Sequence, residues 1–162
     1  TEVPFGHHVE TLKLPRRLVT RSEKEWAQAK VGSVLAKPAD KRTSAEESHR
    51  RWNQHVLDRF NEQKTHPKFE MELHVLRLGD VAVATNPFEL FLDFGMRMKT
   101  RCKAPQTFIV QLACSSGWYL PTLKAATGGG YSAIIQSNLV GPEGGDVLVN
   151  RTVELINAMW AK

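Results

Sequence analysis

Between Phe69 and Cys114 the hydrophobic pattern changes period, and the order of those changes limits the fold more than any other feature of the chain. Phe69, Met71, Leu73 and Val75 alternate with Glu70, Glu72 and His74, the signature of a strand with one buried face. After Leu76 the phase slips, because Arg77 falls where an apolar residue is due, and a β-bulge is the expected remedy. Gly79-Asp80 supplies a tight turn. Val81-Ala82-Val83-Ala84 and then Thr107–Cys114 are apolar on both faces, as strands are when a sheet is covered on both sides. Val81–Ala84 and Phe108–Ala113 are therefore expected as the innermost strands. Between them, Pro87 to about Arg101 reads as a helix with Phe91, Leu92, Gly95 and Met98 inward and Asp93 and Arg97 paired one turn apart. The hairpin forces at least one antiparallel pair. The fold class is α/β, or α+β, with helices packed on a mixed sheet that forms part of a larger layered domain.

The flanking segments extend this frame. Val9–Leu14 alternates and stops at Pro15, which suits a strand. Ser22–Glu25 reads as a capping box opening a helix through Lys30, with Trp26 on its buried side. A second box, Ser44–Glu47, opens a longer helix to about Gln63 with the stripe Ala45, Trp52, Val56 and Phe60. Residues 115–145 carry nine glycines and prolines, and a loop region of that length inside a compact domain is usually functional. Asp146 is the expected cap of a last helix whose stripe is Val149, Val153, Ile156 and Trp160. The order is β-α-α-β-β-α-β-loop-α, taken as one domain over residues 1–162.

Charge narrows the function classes. The net +5 sits entirely in residues 1–68, which hold 14 Lys/Arg against 9 Asp/Glu, while residues 69–162 hold eight of each. The basic residues alternate with acids and lack interleaved aromatics, so they read as a solvated face and not as a nucleic-acid stripe. Cys102 and Cys114 give no disulfide framework, and Cys114, at the end of an apolar run, reads as a small core residue. No apolar run reaches the ~18 residues of a membrane span.

Glu89 follows a buried strand and falls on the first turn of the expected helix, where the helix dipole favours a carboxylate. Tyr119 lies beyond the end of the next strand, and loops at strand ends are where α/β sites assemble. The other motifs are weak. Gly128-Gly129-Gly130 and Gly141–Gly145 lack the strand–glycine–helix frame of a phosphate loop, and Ser115-Ser116-Gly117 is no nucleophile elbow. His7 and His8 are adjacent on a strand and point to opposite faces, His49 and His55 lie on different faces of a helix, and His74 reads as the polar side of a half-buried strand.

Pro87-x-Glu89, then Gly95 and Arg97, then Tyr119-x-x-Thr122, Tyr131 and Gly141-Pro142 together make the chain resemble the C-terminal part of the catalytic domain of neutral (alkaline, non-lysosomal) ceramidases. It departs from the family pattern at Leu90, around Cys114-Ser115 and at Ser132. The resemblance implies a zinc-dependent amide hydrolase acting on N-acylsphingosine, with Glu89 and Tyr119 as zinc ligands and Tyr131 lining the site. It also implies a lipid amide substrate and a secreted or periplasmic setting. The two histidines that complete the family's zinc site belong to an N-terminal portion with no counterpart here. The partner implied is that portion, or another chain, and this segment alone is expected to be inactive. The rival reading is a non-catalytic α/β interaction module or a relative with an incomplete metal site.

Overall fold

The structure is a computed structural model and describes residues 2–161. The chain divides into two compact units, one made of the residues up to Arg16 with those from Lys68 onward, the other of Arg17–Pro67.

The first unit is built on a four-stranded sheet. Strands β1 (Phe5–Pro15), β2 (Lys68–Leu78), β3 (Val81–Thr85) and β5 (Gln106–Val110) lie in the order β1-β2-β3-β5. The first two contacts are antiparallel and the third is parallel, so the sheet is mixed as expected. Helix α3 (Leu92–Arg101) is the crossover between parallel β3 and β5, and helix α5 (Pro142–Met159) packs on β1 and β2 beside it. Their shared core holds Leu14, Met71, Leu73, Val75, Phe94, Met98, Leu148, Val149 and Ile156. The buried residues of β2 are the alternating set that the period-two pattern marks.

Four expectations about this unit need correction. No bulge follows Leu76: the β1–β2 register runs unbroken from Phe5↔Leu78 to Pro15↔Lys68. Arg77 keeps the core phase because α5 accommodates it. Its guanidinium lies 4.1 Å over the Trp160 ring and donates to the Met159 carbonyl, neutralising the end of the helix. Phe108–Ala113 is not an innermost strand. β5 forms an edge of the sheet, and Phe108, Val110 and Leu112 are all exposed, while β3 is interior. The helices cover one face of the sheet and leave Phe5, Val9, Leu78, Phe108 and Val110 exposed. Lastly, Asp146 does not cap α5, which starts at Pro142 behind Gly141. Asp146 instead binds Arg97 at 2.7 Å, so the expected Asp93–Arg97 pair is replaced by a bridge from α3 to α5. The paired glycines at the start of α5 serve close packing: a Cβ at Gly145 would sit 2.3 Å from the Phe94 ring, and one at Gly144 2.1 Å from Val140.

The second unit is a helical hairpin of α1 (Arg21–Leu35) and α2 (Ser44–Glu62). Both helices are capped earlier than expected, α1 by two residues and α2 by one. Thr20 with Glu23, and Thr43 with Glu46, form the capping boxes. The sequence satisfies the S/T-x-x-E pattern twice in succession at each site, and the earlier match wins. α1 buries Ala27 and Val31 and leaves Trp26 half exposed; α2 buries Asn53, Val56 and Arg59. Four basic residues of this unit form ion pairs with acids of the same unit: Arg17–Glu23, Lys37–Glu46, and Arg42 and Arg50 with Glu47.

Candidate functional site

Parallel β3 and β5 end side by side, and the chain leaving each forms one wall of a shared structure. Residues 86–91 leave β3 and residues 111–120 leave β5. Backbone bonds join the two segments from Ala113 N to Asn86 O, Gly117 N to Pro87 O, Glu89 N to Trp118 O and Phe91 N to Leu120 O. The outcome is a two-stranded parallel pair of β4 (Glu89–Leu90) and β6 (Tyr119–Leu120), in register Glu89↔Tyr119 and Leu90↔Leu120. Directly opposed residues of a parallel pair project to the same side. Leu90 and Leu120 go into the core, and Glu89 and Tyr119 stand together on the outer side.

Glu89 is thus a strand residue and not the first turn of a helix. The helix begins three residues later, behind Phe91, and carries no side-chain cap. Of the inward set expected for it, Met98 is buried, whereas Leu92 is 75% exposed and Phe94 takes the core position. The backbone amides of residues 88–91 bond to Asn86 Oδ1, Trp118, Gln111 Oε1 and Leu120, which holds this stretch extended against residues 111–120.

The neighbouring Glu89 carboxylate, first through side-chain hydrogen bonding, then partial desolvation and the Glu89 charge, raises the Tyr119 phenol above its ordinary value of 10. Tyr131 completes the group. Its ring meets the Tyr119 ring edge-on at 5.9 Å, with 78° between planes. Gly129 and Gly130 precede it at φ 74° and 103°, the left-handed region in which a side chain is strained, and this lets the chain double back behind α4 (Leu123–Gly128). Thr122 caps that short helix through its Oγ1.

Sequence reading missed the residues that hold this arrangement. Asn138 is fully buried and donates its amide to the carbonyls of Tyr119, at 3.1 Å, and Ser132, at 2.9 Å, tying the β6 and Tyr131 segments together. Asn86 and Gln111 brace the Glu89 segment in the opposite sense, their side-chain oxygens accepting from Phe88 N and Leu90 N. Only Gln111 carried a signal, as a lone amide inside the apolar run Phe108–Ala113. Gly117 is the fourth: a Cβ there would lie 2.4 Å from two atoms of the buried Phe88 ring.

His8 pairs with Glu10, and His7 and His8 do face opposite ways, the first exposed and the second half-buried. Cys114 is exposed and not a core residue, because the chain turns left-handed at Leu112 and Cys114 as it leaves β5.

No protein-family model matches the sequence, and no curated protein does. Solved structures do. A neutral ceramidase from Pseudomonas aeruginosa superposes on 96% of this chain with a TM-score of 0.61 at 14% identity. A structure described as a ceramidase complexed with C2 superposes on 56% with a TM-score of 0.51 at 16% identity. The chain spans 28% and 15% of the length of those two proteins. It shares the fold of a part of neutral ceramidase.

Proposed function

We propose that this chain is a segment of a zinc-dependent amide hydrolase resembling neutral ceramidase, cleaving an N-acylated sphingoid base to the free base and a fatty acid. The observation that carries the proposal is the register of the β4–β6 pair, which sets the Glu89 carboxylate against the Tyr119 hydroxyl with Tyr131 at its edge. Two oxygen donors on adjacent strands suit part of a zinc site, and a catalytic site requires three protein ligands and an open position. Glu89 and Tyr119 would hold the ion, which when bound supplies an activated water and a Lewis acid. The Tyr119 proton would leave on loading, since a nearby cation favours the phenolate. Tyr131, 67% exposed, would line the site.

The remaining donors would come from the N-terminal portion of the same catalytic domain. The open sheet face, where Phe5, Val9, Leu78, Phe108 and Val110 are exposed among polar residues, offers apolar contacts for receiving it. The low share of the ceramidase length that this chain covers supports the same partner.

The test is hydrolysis of a fluorescent short-chain ceramide by the full gene product carrying this segment, beside the 162-residue chain alone. Zinc-dependent cleavage by the full product, lost on Glu89→Gln and on Tyr119→Phe without loss of fold, is the expected result, with no cleavage by the chain alone. Hydrolysis that survives Glu89→Gln refutes the assignment.

A further inference from the structure

We infer that Glu72, His74 and Cys114 form a second metal site, separate from the Glu89–Tyr119 pair, which takes a borderline-soft divalent cation such as zinc and is oriented by His7. Among the described residues these three form the one group of acid, imidazole and thiol donors whose ligand atoms all lie within 4.8 Å of one another. They come from two places in the chain. Glu72 and His74 are two apart on β2 and so share a face, the sheet face that the helices leave open. Cys114 is delivered from the turn after β5, where it takes φ 64°.

The fourth residue makes the cluster more than a coincidence of polar groups. His7 on β1 is the diagonal neighbour of His74 across the antiparallel pair, given the register His7↔Leu76 and Val9↔His74. Its ring lies edge to edge and nearly coplanar with that of His74, 5.2 Å between centroids and 9° between planes, and its Nε2 lies 2.9 Å from His74 Nδ1. His74 Nε2 points the other way, 2.6 Å from the Glu72 carboxylate. A metal-bound histidine is usually fixed by a hydrogen bond at its second nitrogen, and His7 supplies it here. In the metal-free protein His74 Nε2–H donates to Glu72. In the loaded site the ion takes the Nε2 lone pair, the proton resides on Nδ1, and the bond to His7 persists with its direction reversed. The thiol proton of Cys114 leaves to solvent.

The arrangement does not suit a nucleophilic relay. In such a relay the thiol and the carboxylate occupy opposite nitrogens of the imidazole. Here the far nitrogen is taken by His7, and Glu72 and Cys114 converge on each other. Donors around one zinc lie roughly 3–4 Å apart, so the widest separation must close by about an ångström while the Glu72 carboxylate gives up its 2.6 Å bond to His74 and moves slightly away. Glu72, 54% exposed on its side chain, is free to do so. A nitrogen, a sulfur and a carboxylate oxygen favour zinc or cobalt over magnesium or calcium, which take oxygen alone.

Cobalt(II) titration of the reduced 162-residue chain tests the inference, because cobalt–thiolate bonds give a charge-transfer band that oxygen ligands do not. The expected result is a saturable band that zinc displaces, absent in Cys114→Ser, present in Cys102→Ser and in Glu89→Gln, and shifted to 10- to 100-fold higher cobalt concentration in His7→Phe. Persistence in Glu89→Gln keeps this site distinct from the one under the proposed function. As a second measurement, zinc should slow alkylation of Cys114 in the Cys102→Ser chain. A band that survives Cys114→Ser, cobalt binding without a band, or alkylation indifferent to zinc would each overturn the assignment.

Discussion

Gly117→Ala is the most direct probe of the scaffold that aligns Glu89 with Tyr119. The added methyl would lie 2.4 Å from Cδ1 and Cε1 of Phe88, more than 1 Å inside the separation carbons prefer. Phe88 has nowhere to go. Its ring is fully buried, sits 5.5 Å from the Phe69 ring, and its backbone amide is fixed to Asn86 Oδ1. Overpacking of this kind costs about 1–3 kcal/mol, and in a chain of this size a kilocalorie lowers the melting temperature by about 2–4 °C. The expected fall is therefore roughly 2–12 °C. Phe88→Leu removes the obstructing ring atoms at a cost of its own, which makes a double-mutant cycle decisive. Thermal melts of the four proteins should show Gly117→Ala costing clearly less in the Phe88→Leu background than in the wild type. Additive losses, with no coupling, would mean that Gly117 is not there to admit Phe88, and the account of the scaffold would fail.

Two further outcomes follow from single groups. Tyr131→Phe leaves Tyr119 as the only tyrosine, so an ultraviolet titration of that variant should show a phenol above the ordinary value of 10; adding Glu89→Gln should lower it, and an unchanged curve would deny the hydrogen bond. Glu10 is held down from 4.5 to about 2, chiefly by its two-point bond to Arg151 at 2.7 and 2.6 Å, which fastens β1 to α5. A depressed carboxyl stabilises the fold fully above its unfolded value and loses that contribution as pH falls through about 2. With side chains 22% and 32% exposed, solvent screening reduces the contribution to about 1–2 kcal/mol. Urea unfolding should show Glu10→Gln weaker than wild type by that amount at neutral pH and equal to it near pH 2, whereas parallel curves would refute the linkage.

Element order and the buried face of β2 were legible because they depend on period alone. The phases of Phe69–Val75 and of Val149–Ile156 survive into the structure unchanged. What failed depended on partners that a linear pattern does not carry. Arg77 looked like a break in the strand because its acceptor, the end of α5, lies more than 80 residues away. The apolar run after Gln106 looked interior because composition cannot distinguish a strand buried within its own unit from one whose apolar face is left open. Glu89 looked helical because Pro87 is a frequent helix starter, and nothing local shows that the next four amides are already bonded to residues 86, 111, 118 and 120.

The two proposed metal sites meet in one short stretch. Leu112, Cys114 and Trp118 all have positive φ, at 54°, 64° and 60°, and none is a glycine. Left-handed backbone costs a side-chain-bearing residue about 1–3 kcal/mol, and it persists only where the surroundings fix it. The fixing bonds are visible: Ala113 N to Asn86 O, Gly117 N to Pro87 O, and Glu89 N to Trp118 O, with Phe88 filling the space that Gly117 leaves. A sequence under no demand beyond folding would relieve the turns with glycine or asparagine. Here the strained turns include the residue that carries the thiol and the one just before the tyrosine, and their joint effect is to bring Cys114 to His74 and Tyr119 to Glu89. Strain in a loop at the ends of parallel strands, held on one side by a buried ring and on the other by backbone bonds, is the mark of a segment kept for what it positions.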